Sequence, residues 1–366
     1  MDNLAHSLVG AWMAEAGLKR TTPLATVTLV IGANLPDIDA FTMFAGRDTS
    51  LLLRRGLTHG VIALAVLPWL LAGAVVLGDR YLRRRRHPEK TPARFWPLLG
   101  LAYLSVLSHP LLDWTNTYGV RLLMPFDGRW FYGDAIYIID PWMWLLMAAA
   151  VVMADARARW SMGGWLLLGM ASTGLVVSTA IVPLPVKGLW LVGVTAIVFL
   201  RVRGVRSIPV ERVATVCGTA LLLYMVAMFA GSRLAERQVA EWMRQQGMGA
   251  ERVMAGPLPG NPFTRDVIAL LPGRYEFVEV DWLAGGSERF RISHPSLPRG
   301  APDPIVQAAL EAPQVRGFVN WLRFPTWRVE EQASGYRVTL QDVRYSRTPG
   351  AIGTAVVELD RQLHPR

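Results

Sequence analysis

Six stretches of this chain, Val61–Leu77, Leu98–Leu107, Met143–Met153, Trp165–Val182, Leu189–Leu200 and Val213–Ala230, are almost free of charge. Placed in series, they leave few folds open. A bilayer core needs about 20 apolar residues per helix, within a range near 17–25. Some of the runs reach that length only with their flanks, so short or tilted helices are predicted. Buried helices of a large soluble protein would rarely supply so many long runs in a row. With 52% of its residues hydrophobic, the chain is expected to form an all-α polytopic membrane domain of about 6–8 helical segments.

Charge and cysteine narrow the class further. Cys217 is the one cysteine of the sequence, which excludes an intrachain disulfide and a thiolate metal cluster. The formal charge of +10 sits largely in loops, at Lys19–Arg20, Arg83–Arg86, Arg157 with Arg159, and Arg201, Arg203 and Arg206. The positive-inside rule accounts for such loops. No zinc-finger spacing or aromatic–basic strip is present, so no nucleic-acid partner is expected. The Arg83–Arg86 run reads as a topology signal or a lipid-headgroup contact. The first residues lack a basic region, so a cleavable signal peptide is not expected.

Putting the basic loops in the cytoplasm gives one path. It runs through Leu4–Gly17, Pro23–Leu35, Leu57–Gly78, Arg94–Asp113, Pro141–Ala154, Ser161–Ile181, Gly188–Leu200 and Val210–Gly231. The first two segments are short for full spans. On this path His6, Asp37, Asp39, His59, His109, Asp113, Asp134 and Asp140 all fall on the outward side. Unrelated polar residues would scatter over both faces, so convergence points to one site. Beyond Gly231 the character changes, giving a membrane domain at 1–231 and a small extracytoplasmic α+β domain at 232–366. Ser232–Gly247 reads as an amphipathic helix. Tyr275–Trp282, Arg289–Ser293, Tyr336–Tyr345 and Ala355–Leu359 alternate as strands do.

The polar clusters carry the chemistry. His109 and Asp113 are four residues apart, so a helix turns both to one side. An imidazole and a carboxylate so placed suit zinc or a helix-end hydrogen bond. Asp37 and Asp39 follow Pro36. They read as a helix stop with a capping carboxylate, or as carboxylates of a hydrolytic metal centre. His59 follows Arg55-Gly56-Leu57-Thr58 at the start of an apolar helix, as an interfacial residue or a ligand; His6 is similar. Asp140-Pro141 fits a helix N-cap, and Asp134 stays open. His87, His294 and His364 have no companions and are expected at the surface.

The succession His6, Leu35-Pro36-Asp37-Ile38-Asp39, Arg55-Gly56-Leu57-Thr58-His59 and Ser108-His109-Pro110-Leu111-Leu112-Asp113, with Asn116 and Gly119 after it, resembles the YdjM-type membrane-bound metal-dependent hydrolases. The resemblance covers roughly residues 1–145, with four motifs in the right order. It implies a helical inner-membrane protein with a hydrolase-like metal centre. That family is distantly similar to the zinc-dependent phospholipase C and P1 nuclease group, whose three zinc ions are held by His and Asp, one pair at His-x-x-x-Asp spacing. His109 and Asp113 match that pair. His6, Asp37 or Asp39, and His59 match earlier ligands in order alone. Two departures stand out. Arg54 occupies a position where the family often has a histidine, and no later His/Glu pair completes the cluster. One to three ions fit this pattern.

The reading that follows is a membrane-bound metal-dependent hydrolase of the bacterial-type inner membrane, a phosphoesterase acting at the outer face, with a lipid as a substrate class. His6, Asp37, Asp39, His59, His109 and Asp113 are the candidate ligands for a divalent metal, zinc by its donor set. Asp39 doubles as a candidate general base. Arg54 and Arg55 are candidates for holding a substrate phosphate, or equally for anchoring to headgroups. Membrane lipids are the expected partners. Two alternatives belong to other classes: a non-catalytic membrane factor with a structural metal site, and an ion-coupled transporter. Transport predicts acidic residues near the bilayer midplane, whereas these lie at helix ends.

The topology is testable. A reporter active only in the cytoplasm, fused after Arg366, is expected to stay silent. Strong activity would reverse the path and put the polar clusters on the cytoplasmic side.

Overall fold

The protein is described from a computed structural model covering residues 1–154, 159–203, 209–346 and 352–366. Arg157 and Arg206, two of the basic residues that orient the path above, lie outside the described residues, as does the side chain of Arg159. By its internal contacts the chain forms two compact units. The first comprises Met1–Ile38, Leu57–Ala230 and Pro257–Pro262; the second comprises Asp39–Gly56, Gly231–Gly256 and Phe263–Arg366.

The first unit is helical. Helix α1 (Asn3–Glu15) starts where the Asp2 carboxylate accepts the Ala5 amide proton at 3.0 Å, an N-cap that satisfies an otherwise orphaned donor. Helix α2 (Ala25–Gly32) gives way to a 3₁₀ stretch, Leu35–Ala45, bent by 44° from it. Pro36 explains the break, since it lacks an amide proton and restricts the residue before it. After the short helix α3 (Arg47–Leu53) and a 3₁₀ turn at Leu57–His59, α4 (Val61–Gly78) runs through a π-helical turn at Asp79–Arg83 into α5 (Arg84–Arg86). Then come α6 (Phe95–Trp114), α7 (Pro141–Ala154), α8 (Arg159–Ser178), α9 (Leu184–Val202) and α10 (Val210–Gln245).

Among the described residues, four helical stretches are long and apolar enough to cross a membrane: Val61–Arg86, α6, α9 and α10. The bent α2 pair would make a fifth, while α7 and Met162–Ser178 are shorter. The multi-pass membrane region expected from the sequence is therefore present. Its outward-facing leucines and valines, such as Leu70, Leu82, Leu184 and Val192, are exposed, as lipid-facing residues must be. Its interior is packed from Leu29, Leu101, Met143, Met147 and Trp190. Close approach of α2 and α6 depends on Gly32, where a Cβ would come within 2.0 Å of Ser105 Oγ. Small residues at such crossings are how membrane helices gain van der Waals contact. Asp140 is an N-cap, as its Pro141 neighbour suggested. Its Oδ1 accepts the Trp142 and Met143 amide protons at 3.0 and 3.3 Å, and its Oδ2 accepts the Tyr224 hydroxyl at 2.7 Å.

The second unit is α+β. Strands β1 (Arg252–Leu258), β2 (Asn261–Leu271), β3 (Arg274–Asp281) and β4 (Phe290–Pro298) form a sheet in sequential order. Helix α10 continues past Gly231 without interruption, and its Ala235, Val239 and Met243, four apart, pack on Val267, Val278 and Val280. Helices α11 (Pro304–Glu311) and α12 (Arg316–Trp321) precede a second sheet, β5 (Pro325–Gln332), β6 (Gly335–Asp342) and β7 (Thr354–Asp360), antiparallel throughout.

Helix α3 packs on α12 within this unit. The Asp48 carboxylate accepts the amide protons of Gly317 and Phe318 at 3.0 and 2.9 Å. It caps α12 from a residue 269 positions away. Asp48→Ala is expected to destabilise the second unit by about 1 kcal/mol, within 0.5–2 for lost caps. Gly317→Ala is expected to cost more, because its Cβ would lie 2.1 Å from the Asp48 carbonyl oxygen. Thermal unfolding of the two variants checks the order, and a harmless Gly317→Ala would contradict it.

Candidate metal centre

Four elements of the first unit each bring a polar side chain to one buried place. His6 comes from the first turn of α1, Asp37 from the 3₁₀ stretch after α2, His59 from the turn before α4, and His109 with Asp113 from the last turns of α6. His6, His59, His109 and Asp113 are fully buried, and Asp37 is 5% exposed. The sequence separates these residues by up to 107 positions, and the helix crossings unite them.

The potential ligand atoms are closely spaced. His59 Nε2 lies 3.1 Å from His109 Nε2, 3.3 Å from Asp113 Oδ2 and 3.8 Å from Asp37 Oδ1. His109 Nε2 lies 3.7 Å from Asp37 Oδ1 and 3.5 Å from Asp113 Oδ2. One ligand atom from each of Asp37, His59, His109 and Asp113 lies within 4.8 Å of the other three. Four ligands about 2.0–2.1 Å from a central zinc ion would be separated by tetrahedral edges of about 3.3–3.4 Å. The five separations above bracket that value.

The ring orientations fit ligation. His109 Nδ1 lies 2.6 Å from the Ala33 carbonyl oxygen. A carbonyl only accepts, so Nδ1 carries the proton, and in the neutral ring Nε2 presents its lone pair to the cluster. A backbone carbonyl fixing the tautomer of a ligating histidine is a recurrent outer-shell device. His59 Nδ1 is 3.0 Å from Thr58 Oγ1. That hydroxyl donates or accepts, so it permits either tautomer.

His6 stands on the other side of Asp113. Its ring stacks on His109 with centroids 3.7 Å apart, and its Nε2 is 3.4 Å from Asp113 Oδ1. Its Nδ1 is buried without a hydrogen-bond partner among the described residues, an arrangement that ligation would relieve. The amino group of Met1 also contacts Asp113 Oδ1. Asp113 thus offers Oδ2 to the His59–His109 side and Oδ1 to the His6 side.

The remaining candidates have other surroundings. Asp39 is absent from the four-residue ligand group, and its Oδ2 accepts the Arg55 amide proton at 2.8 Å. Arg55 is buried and holds a left-handed backbone with φ of 50°, costly for a residue with a Cβ. Arg54 ends α3 and is partly buried. Asp134 is buried with φ of 52°. Asn116 Oδ1 accepts the Tyr118 amide proton at 2.8 Å, closing the turn after α6. His87, His294 and His364 are exposed, as expected. Two partners were not legible beforehand. Thr58 lies in a motif that gives it no task of its own, and the Ala33 carbonyl carries no side-chain signal at all.

The chain matches the YdjM inner membrane protein family over residues 1–184, half its length and every residue of the cluster. It belongs to that family, and it is a multi-pass inner-membrane protein. Residues 304–366, from α11 onward, match the YfhP C-terminal alpha/beta plait domain. One curated relative, a Bacillus subtilis (strain 168) protein bearing the name "Uncharacterized protein YfhP", is 26% identical over 174 residues. The match covers 45% of this chain and 47% of that protein, so the chain spans about half the length of this relative. No solved structure matches the chain.

Substitution separates ligation from hydrogen bonding. His109→Ala and Asp113→Asn are each expected to strip bound metal from the purified protein, read by elemental analysis, while membrane insertion persists. Asn keeps the size and hydrogen-bonding capacity of Asp113 but not the anionic ligand a divalent ion favours. A purely hydrogen-bonded cluster would instead lose about 1–3 kcal/mol of stability with metal content unchanged.

Proposed function

We propose that the protein is a membrane-bound metal-dependent hydrolase, a phosphoesterase whose site lies at the outer face of the inner membrane and whose substrates include lipids. The observation that carries this reading is the set of Asp37, His59, His109 and Asp113 ligand atoms, all within 4.8 Å of one another and buried at the ends of membrane helices. Zinc suits two imidazoles and two carboxylates, although a harder divalent ion shares part of that preference.

A divalent ion held there supplies Lewis acidity and an acidified water near neutral pH. The chain's own residues do the rest. His109 is held in one tautomer by Ala33, and Asp113 turns Oδ2 to His59 and His109 while its Oδ1 meets His6 and the Met1 amino group. Arg54 and Arg55 precede His59 by five and four residues. Their guanidinium groups are suited to pair with phosphate oxygens in a bidentate way. Asp39 holds the Arg55 main chain and so orients that arginine; its second assignment, as general base, rests on its place in the same motif.

A non-catalytic reading has one observation in its favour. His59 and His109 Nε2 are at hydrogen-bonding distance, 3.1 Å, so a protonated cluster without metal would also be cohesive.

Assay decides between them. Purified protein should contain about one to three divalent ions per chain and hydrolyse a phosphodiester reporter or phospholipid vesicles. A chelator should abolish turnover and zinc restore it. Metal-loaded protein inert toward phosphomonoesters, phosphodiesters and phospholipids alike would sink the hydrolase reading and leave a structural centre. Arg55→Gln should raise KM with metal content unchanged; an unaltered KM would remove Arg55 from the substrate site.

A further inference from the structure

The arginine run at the end of α4 plays no part in the metal centre, yet it borders a built groove. A cleft of about 400 Å³ opens there. Its apolar side includes Leu24, Val75 and Leu82, and its polar end is formed by Asp79, Arg83, Arg86 and His87. We propose that this groove binds an anionic phospholipid, with the headgroup phosphate at Arg86 and His87 and an acyl chain along Leu24, Val75 and Leu82.

Three observations carry the assignment. The first is position. The apolar stretch of α4 stops at Gly78, and Tyr81, in the turn that follows at once, is 56% exposed. Aromatic side chains of this kind mark the membrane–water interface. The groove therefore lies where lipid headgroups lie.

The second is construction. The π-helical turn Asp79–Arg83 breaks the regular α-helical ladder at the groove, and such turns concentrate at functional sites. Asp79 is 3% exposed. It accepts the Ala93 amide proton at 2.8 Å and pairs with Arg83 Nε. Arg83 in turn donates to the Thr91 carbonyl at 2.5 Å. The segment between α5 and α6 is thereby tied to the helix end, and the groove's polar wall is held in place.

The third is charge. Arg83 balances Asp79, while Arg84, Arg85 and Arg86 continue the run. His87 faces Glu89 at 3.5 Å, but both are more than half exposed, so solvent weakens that pair. A cationic rim above an apolar wall complements a phosphate attached to a hydrocarbon chain. Basic clusters beside membrane helices attract anionic lipids by about 1 kcal/mol per residue, about five-fold in affinity.

The test uses delipidated full-length protein in a non-ionic detergent. Phosphatidylglycerol, phosphatidylcholine and soluble glycerol phosphate are added separately, with native mass spectrometry and thermal unfolding as readouts. Phosphatidylglycerol should remain bound and raise Tm, and the other two should do neither. Arg86→Gln combined with His87→Gln should weaken phosphatidylglycerol binding about five-fold or more, whereas Arg203→Gln, at the end of α9, should leave it unchanged. The proposal falls if the double variant keeps full selectivity, if Arg203→Gln loses as much, or if glycerol phosphate protects equally. Should the double variant not insert, the wild-type protein decides. Its phosphatidylglycerol retention must drop at high salt, and salt-independent retention overturns the headgroup contact.

Discussion

Burying Asp37 and Asp113 beside three histidines is the constraint to which the first unit answers. A carboxylate removed from water without compensation costs several kcal/mol, and here two lie among membrane helices. The compensation must come from groups close at hand, and α1, the Leu57–His59 turn and α6 each deliver one histidine, His6, His59 and His109. The apolar packing of the unit therefore serves a polar end. The Gly32–Ser105 approach lets α2 close on α6, and one residue further on the Ala33 carbonyl meets His109. A methyl group at position 32 would disturb the helix pair and the histidine tautomer together.

Much of this was legible in the chain. Long apolar runs announce membrane helices because a bilayer sets their length, and Leu184–Val202 and Phe95–Trp114 follow those runs closely. The His109–Asp113 pair was readable because i,i+4 side chains share a helix face. His6 and His59 were readable by order and not by spacing, since no local pattern connects residues from different helices. In the second unit, β6 and β7 show alternation, and β3 does so only toward its end. Strand β2 does not, because its last five residues are all buried. Strand β1 contains Gly256 and Pro257, which read as a turn, and charged β5 lies at the edge of its sheet. The uninterrupted course of α10 was also hidden. Its sequence turns from uniformly apolar to amphipathic at Gly231, and a change of environment looks the same as a change of element.

The pairing of Asp37 and Asp39 shows how local geometry decides chemistry. Two carboxylates two residues apart would suit a shared ion if the backbone were extended, where i and i+2 point the same way. Here they lie on a 3₁₀ stretch, at three residues per turn. Positions two apart are then about 240° apart around the axis, and the two carboxylates diverge. Asp37 enters the ligand group, while Asp39 holds the Arg55 amide and with it a backbone of unfavourable φ. Pro36 is the cause upstream, because it ends α2 and leaves the chain to tighten into the shorter helix.

The segment between the Asp37 and His59 motifs has a second attachment. Asp39–Gly56 belongs by its contacts to the second unit, where Asp48 caps α12. Two ligands of one cluster are thus joined by a stretch of chain whose folded partner is the plait-like domain. A cap contributes about 1 kcal/mol, modest for the stability of the whole chain but sufficient to bias a loop of this length toward one arrangement.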